Sequence, residues 1–165
     1  MMKVLLALAL VVAVSGRQIK FDDCGNGEVK SVDVDPCDKE PCQFKKGQEV
    51  TMTAVAVASK YFLDIPIIVS ELLSSYFSTD ADSNGGTLKV TVELGGVEVE
   101  YPGIEPDICK IVSCPIKKGQ EYRIVYKLTA EDYFPDLTTR MKWDVQGDNG
   151  RLLCASSIVG IEPAL

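Results

Sequence analysis

Alternation of apolar and polar residues with a period of two dominates the chain after residue 48. In each alternating segment one set of side chains is largely apolar and the intervening set is largely polar, which is typical of β-strands that bury one face. The sets expected to face inward are Val50, Met52, Ala54 and Ala56; Leu88, Val90, Val92 and Leu94; Val97, Val99 and Tyr101; Tyr122, Ile124, Tyr126 and Leu128; and Leu137, Thr139, Met141, Trp143 and Val145.

Glycine-rich turn signals separate these segments. Gly95-Gly96 predicts a tight hairpin between two of them, and residues 147–150 predict a second hairpin that leads into a closing strand from residue 152 to 161. No internal repeat is visible. Seven or eight short strands with such spacing predict an all-β sandwich.

A mostly apolar stretch at residues 61–78 interrupts the pattern. It lacks clean alternation, and its only charged residues are Asp64 and Glu71. One interpretation is a hydrophobic lid or a flap that touches membranes. The other is a retained intron, because codons for residues 59–62 can contain a 5′ splice site and codons for residues 76–80 a 3′ splice site. A transcript that always includes the stretch would contradict the intron hypothesis.

Residues 1–16 have the layout of a secretory signal peptide. Lys3 precedes an apolar run over residues 4–14, and the small residues Ser15 and Gly16 follow it. This run is too short to cross a bilayer core of roughly 30 Å. We therefore expect cleavage near Gly16 and a secreted single domain over residues 17–165, which is long enough to bury a sizeable core.

The charge and the missing histidine narrow the function classes. The net charge is −7 and no basic run exceeds Lys-Lys, so nucleic acid is a poor partner. Without histidine, neither a Ser-His-acid nor a Cys-His nucleophile can form. Glu98 and Glu100 share a strand face, but alternation turns them to solvent, which disfavours a glycosidase pair. We therefore expect no enzymatic activity and no cofactor.

Six cysteines follow the first 16 residues: Cys24, Cys37, Cys42, Cys109, Cys114 and Cys154. An even number in an exported chain indicates three disulfides, for which fifteen pairings exist. By spacing, Cys37 with Cys42 and Cys109 with Cys114 could each close a short loop. A zinc site is disfavoured, since C-x-x-C spacing and histidine are both missing.

Several segments together resemble a known family. They are F-x-D-C-G at residues 21–25, V-D-V-D-P-C-D-K-E-P-C at 32–42, P-G-I-E-P-D-I-C at 102–109, C-P-I-K-K-G-Q-E-Y at 114–122 and W-D-V at 143–145. The chain resembles the ML (lipid-recognition) domain family, in particular its small soluble Niemann-Pick type C sterol carriers and mite group 2 allergens. The resemblance covers the chain from residue 17 onward, apart from residues 61–78.

The resemblance implies an immunoglobulin-like sandwich with an apolar cavity between its sheets and the disulfides Cys24–Cys154, Cys37–Cys42 and Cys109–Cys114. It also places entrance aromatics at Tyr101 and Phe134, with Ala130 between them. The inward sets supply the candidate lining: Val90, Val92, Leu94, Val99, Tyr101, Tyr126, Leu128, Met141 and Trp143. Periodicity alone is equally compatible with a filled core.

The function that this resemblance implies is binding and lumenal transport of a sterol such as cholesterol. Expected partners are the lipid, lumenal membranes and a membrane sterol transporter, and the expected location is extracellular or the lysosomal lumen. One alternative is an extracellular carrier of fatty acids, semiochemicals or microbial lipids in chemosensation or innate immunity. The other is an interaction module with a solid core.

Overall fold

A computed structural model of the chain describes residues 16–58 and 82–163. The predicted signal peptide, except for Gly16, and the stretch at residues 61–78 lie outside the described residues. The described residues form ten strands and one turn of 3₁₀ helix, Ile108–Lys110. The strands are β1 (Arg17–Gln18), β2 (Asp22–Asp23), β3 (Val29–Asp35), β4 (Cys42–Lys45), β5 (Glu49–Val57), β6 (Gly86–Leu94), β7 (Val97–Glu100), β8 (Glu121–Thr129), β9 (Leu137–Gly147) and β10 (Gly150–Glu162).

The strands form two sheets. The smaller sheet has the order β1-β3-β5-β8, and the larger has the order β2-β10-β9-β6-β7, with β4 pairing in parallel with β10 on the edge that β2 also uses. The predicted all-β sandwich of the immunoglobulin type is confirmed. The described strands outnumber the predicted seven or eight partly because β1 and β2 have only two residues each.

Both predicted hairpins are confirmed. Leu94 pairs with Val97 across Gly95-Gly96, and both glycines have positive φ angles, 59° and 83°. A two-residue loop with positive φ at both positions is the turn that matches the twist of adjacent strands, and glycine adopts it without a steric penalty. At the second hairpin Gly147 pairs with Gly150.

The core lies between the sheets, on the faces that alternation predicts. Val50, Val90 and Val145 are almost fully buried, as are Val34 and Val159. Burying an aliphatic side chain of this kind stabilises the fold by about 1.5–3 kcal/mol. These contacts fix the facing direction of β3, β5, β6, β9 and β10.

Strand β7 contradicts the inward prediction for Val97 and Val99. Their side chains are 62% and 41% exposed, and the two glutamates between and after them are exposed as well. The reason is position: β7 is the outermost strand of the larger sheet, and the smaller sheet does not cover it. Tyr101, just after the strand, is buried.

The three disulfides implied by the resemblance are confirmed. Cys24–Cys154 links positions 130 residues apart, while Cys37–Cys42 and Cys109–Cys114 each close a short loop. On the chain-entropy account the long bridge contributes about 5 kcal/mol and each short bridge about 2 kcal/mol. The bridges therefore carry a large share of the stability of the sandwich.

Candidate ligand-binding cavity

An apolar cavity of about 50 Å³ lies between the two sheets. The smaller sheet contributes side chains from β3, β5 and β8, and the larger sheet contributes side chains from β6, β9 and β10. The wall consists of Phe21, Val29, Val32, Met52, Ala54, Leu88, Ile108, Ile124, Tyr126, Trp143, Val145, Leu153, Ala155, Ser156 and Ser157. None of these residues carries a charge.

A smaller void of about 20 Å³ adjoins the cavity at one end. The two share Ile108, Ile124, Val145 and Leu153 as walls. Beyond them the small void is lined by residues of the loop before β8, including Val112 and Ile116, and by Tyr122. Its wall is also free of charged side chains.

A groove of about 210 Å³ lies at the opposite end of the cavity. Tyr126 lines both the cavity and this groove, so its ring separates them. The remaining groove wall combines Tyr101, Ile104 and Leu128 with polar residues such as Glu49 and Lys127, which form an ion pair at 2.9 Å. The groove therefore has an apolar floor and a charged rim.

These three spaces lie in a row along β8. Tyr122 and Ile124 border the small void, Ile124 and Tyr126 border the cavity, and Tyr126 and Leu128 border the groove. These residues share one face of the strand and follow one another at about 7 Å. The interior is thus an interrupted channel with Ile124 and Tyr126 as its partitions.

Tyrosine hydroxyl groups hold the loops at both ends of the row. The Tyr126 hydroxyl accepts a hydrogen bond from the Glu105 N–H at 2.5 Å, and the Tyr122 hydroxyl accepts one from the Lys117 N–H at 2.7 Å. Each bond gives a loop N–H group an acceptor, in a partly buried position at Tyr126 and in an exposed one at Tyr122. The two loops are thereby fixed against β8.

The predicted entrance residues form one buried cluster. Tyr101 stacks on Phe134 with ring centroids 5.1 Å apart. The Tyr101 hydroxyl donates a hydrogen bond to the Thr129 carbonyl at 2.5 Å, and Ala130, the residue after Thr129, is buried. Burial raises the pKa of Tyr101 to about 12, with the Glu131 carboxylate adding to the rise. Tyr101 lines the groove and not the inner cavity.

The other predicted lining residues are divided among five locations. Tyr126 and Trp143 line the cavity, and Leu128 lines the groove. Val90, Val92 and Met141 are buried in filled core beside the cavity, and Leu94 is half-buried near the β6–β7 hairpin. Val99 is exposed and lies outside the cavity wall, which corrects its prediction as a lining residue.

Several wall residues were not among the predicted site residues. Phe21 and Ile108 come from short irregular segments, where no periodicity can be read. Val29 and Val32 are three residues apart because the register of β3 against β5 shifts between Val29 and Ser31. Leu153, Ala155 and Ser157 alternate along the closing strand β10, and this alternation is the sequence signal that could have identified them as inward-facing wall residues.

A second surface groove, of about 400 Å³, opens beside β10. On this edge β2 pairs with Ala155 and Ser156, and β4 begins at Val159, so no described strand pairs with Ser157 and Ile158 there. Phe21 lines both this groove and the cavity. The groove also carries Lys20, Asp22 and Glu40, which makes it more polar than the interior row.

The described residues offer little for catalysis. They contain no group of three or more histidine, cysteine, aspartate or glutamate residues that could hold a metal ion. Glu98 and Glu100 are engaged by Lys142 and Lys89 on the surface. The predicted absence of enzymatic activity stays a prediction.

No helix in the described ranges combines the length and apolar character that crossing a membrane requires.

Comparisons with known proteins agree with this geometry. A family model described as the ML domain matches residues 71–161. The mite group 2 allergen Tyr p 2 of Tyrophagus putrescentiae is 33% identical over 162 residues, covering 98% of this chain and 100% of the allergen. NPC intracellular cholesterol transporter 2 of Mus musculus is 30% identical over 154 residues, covering 91% of this chain and 89% of the transporter.

A solved structure shares the fold. The crystal structure of a Niemann-Pick type C2 protein from the Japanese carpenter ant superposes with a TM-score of 0.67 and covers 87% of this chain and all of that one. Its sequence identity is 20%, so the likeness concerns the fold alone.

Proposed function

This chain belongs to the ML domain family, and we propose that it binds a lipid between its two sheets and carries it through an aqueous compartment. The observation that carries the proposal is the uncharged, apolar cavity between the sheets, in line with a small void and an open groove. Apolar walls with few polar groups are typical of sites for small apolar ligands. The ligand that we propose first is a sterol.

The shape of the interior supports a long and narrow ligand. The row from Tyr122 to Leu128 extends roughly 20 Å at the usual rise of a β-strand. A sterol or a single acyl chain matches such a channel better than a compact polar molecule. The name of the mouse relative, a cholesterol transporter, favours the sterol.

Loading requires the interior to enlarge. The cavity of about 50 Å³ is much smaller than the roughly 300–1,000 Å³ of ligand pockets. Rotation of Ile124 and Tyr126 would join the three spaces, and a small separation of the sheets would supply the remaining volume. Outside the voids the apolar side chains of the interior pack against one another, which keeps them from water.

The driving force is the removal of apolar surface from water. Each Å² buried contributes about 25 cal/mol, so a sterol-sized body gains several kcal/mol. Lost ligand freedom and the work of opening the channel offset part of this gain. No chemical step is needed, because the bound molecule leaves by the reverse route.

We further propose that the protein acts outside the cytosol, in extracellular fluid or an organelle lumen. The three disulfides persist in an oxidising compartment. Lumenal membranes or a membrane sterol transporter are the proposed recipients of the lipid. N-terminal sequencing of the exported protein should find a start at or next to Arg17, whereas retention of residues 1–16 would contradict the signal peptide.

Identification of the native ligand tests the central proposal. The full chain is secreted from a eukaryotic host, purified without detergent, and its organic extract is analysed by mass spectrometry. We expect one sterol per protein molecule. Recovery of fatty acids or other lipids instead would favour the alternative extracellular carrier, and an extract without lipid, together with no binding of added sterol or fatty acid, would contradict the carrier function.

A cavity-filling variant tests the location. Ala54 lines the cavity, whereas its neighbour Val55 lies on the opposite face of β5. Ala54→Leu should weaken lipid binding at least tenfold, because the added carbons occupy the space that the ligand needs, while Val55→Leu should not. Near-ultraviolet circular dichroism checks that both variants are folded, and unchanged binding by Ala54→Leu would place the ligand elsewhere.

A further inference from the structure

The indole of Trp143 is an unsatisfied group in the wall of the cavity. Trp143 is the single tryptophan of the chain and lies on β9 opposite Ala155 of β10, facing the cavity. Its Nε1 atom is buried and has no hydrogen-bond partner in the structure. Buried donors without an acceptor are rare and costly, so this one calls for a physical explanation.

The neighbouring side chains do not supply an acceptor. The ring of Tyr126 meets the indole edge to face, with centroids 5.7 Å apart, but its hydroxyl group lies at the loop, where it accepts the Glu105 N–H. The other wall residues are mostly hydrocarbon. Ser157, which follows Ala155 on the same face of β10, adds one hydroxyl to the same part of the wall.

We propose that the Trp143 Nε1–H donates a hydrogen bond to an uncharged oxygen of the bound lipid, a hydroxyl or a carbonyl. The inference rests on the proposed lipid-carrier function and adds the orientation of the ligand to it. The oxygenated part of the lipid lies inside, against β9 and β10, where the Ser157 hydroxyl provides a second polar group. The hydrocarbon part extends along the row of voids.

Because the cavity wall carries no charge, the ligand oxygen that accepts the Trp143 hydrogen bond is expected to be neutral. No lysine or arginine lines the cavity or the small void within the described part of the chain. A carboxylate held there would lose its hydration without gaining a cation, which is strongly unfavourable. An alcohol, ketone or ester oxygen needs only a donor such as the indole N–H.

Paired ligands that differ by one oxygen test the hydrogen bond. The pairs are cholesterol with cholest-5-ene, and oleyl alcohol with 9-octadecene. In the full secreted protein, the oxygenated member of the binding pair should bind roughly five- to hundredfold more tightly than the oxygen-free member, which leaves the indole donor unpaired. The two dissociation constants are first corrected for the different partitioning of the ligands from water. In Trp143→Phe this ratio should fall to about one.

The variant serves as its own control. Phenylalanine keeps an aromatic ring in the wall and removes the donor, so any packing change affects both members of a pair and cancels in the ratio. A ratio that stays as large in Trp143→Phe as in the wild type would overturn the role of the indole.

Nuclear magnetic resonance gives a readout that does not depend on affinity. With one tryptophan, the ¹⁵N-labelled chain has a single indole N–H signal. Saturation with the oxygenated ligand should move the proton downfield, as expected for a new hydrogen bond, and saturation with the oxygen-free ligand should not. Equal shifts with both would overturn the inference even if the lipids bind.

The charge of the oxygen is tested with oleate against oleyl alcohol. Weaker binding of oleate supports a neutral acceptor, and equal or tighter binding overturns it.

The carrier function and the inference fail in distinguishable ways. If both members of a pair bind equally, the carrier function stands and the inference falls, and if neither pair binds, the carrier function itself is contradicted.

Discussion

The two ends of the row of voids are fastened differently. At the Tyr122 end, the hydroxyl bond to Lys117 is backed by the Cys109–Cys114 disulfide in the same loop. At the Tyr126 end, the loop is held by the bond from Glu105 to the Tyr126 hydroxyl, and Tyr101 bonds to the Thr129 carbonyl. Hydrogen bonds break and re-form readily, whereas a disulfide does not. We therefore infer that the Tyr126 end opens to admit the lipid and the Tyr122 end stays closed.

High pH should weaken the Tyr126 end, and this is the largest effect that we expect. The pKa of Tyr101, about 12 in the folded protein, lies above its ordinary value of 10.0, so the unfolded chain releases this proton first. The stability linked to Tyr101 is complete below pH 10 and is lost as the pH rises to 12, by at most about 3 kcal/mol. Urea unfolding between pH 8 and 12 should show this loss in the wild type and not in Tyr101→Phe. Parallel pH profiles would contradict the assignment.

Removal of the disulfide should open the closed end. Cys109→Ser with Cys114→Ser should lower the free energy of unfolding by about 2 kcal/mol and accelerate lipid exchange. The matched control is Cys37→Ser with Cys42→Ser, which removes a bridge of the same sequence separation outside the loop that lines the small void. The control should lose similar stability at an unchanged exchange rate. Equal exchange rates in both variants would show that the bridge does not keep this end shut.

The two tyrosines allow the same chemical change at either end. Tyr126→Phe and Tyr122→Phe each remove one hydroxyl acceptor, and each should cost about 1 kcal/mol. Only Tyr126→Phe should accelerate transfer of a fluorescent sterol, since only that hydroxyl holds the entrance loop. If neither variant changes the transfer rate, the entrance lies instead at the groove beside Phe21.

The smallest effect is expected at Val99. Val99→Thr should change stability by less than about 0.5 kcal/mol and leave lipid binding unaltered, because the side chain is largely exposed. The control Val92→Thr, at a buried position of the neighbouring strand, should cost more because it places a hydroxyl in the core. A loss of binding in Val99→Thr would return this residue to the site.

Much of the fold follows from local rules that the sequence displays. Alternation assigns the faces of β5, β6, β8 and β9, and glycine pairs locate the hairpins. It fails at Val99 because burial also requires a facing sheet, and coverage is a property of the assembled sandwich. No local pattern shows that the smaller sheet ends before it reaches β7.

The cavity was harder to predict for a related reason. It exists where small side chains from opposite sheets, such as Ala54 and Ala155, leave space that larger residues fill elsewhere. The sequence shows each small residue but not which residues oppose it across the interior. Tyr126 and Trp143 are predictable because alternation alone places them on inward faces of β8 and β9. Phe21 and Ile108 come from short irregular segments with no period to read.

The spacing of the partitions Ile124 and Tyr126 along β8 makes the interior sensitive to the length of the ligand. A ligand small enough for the cavity of about 50 Å³ beside Trp143 would leave Ile124 and Tyr126 in place, whereas a longer one would have to rotate first one and then the other. Affinity plotted against ligand length should therefore rise in steps of about 7 Å and not smoothly. Under the proposed carrier function, lipids would be sorted by how many of the three spaces they can fill.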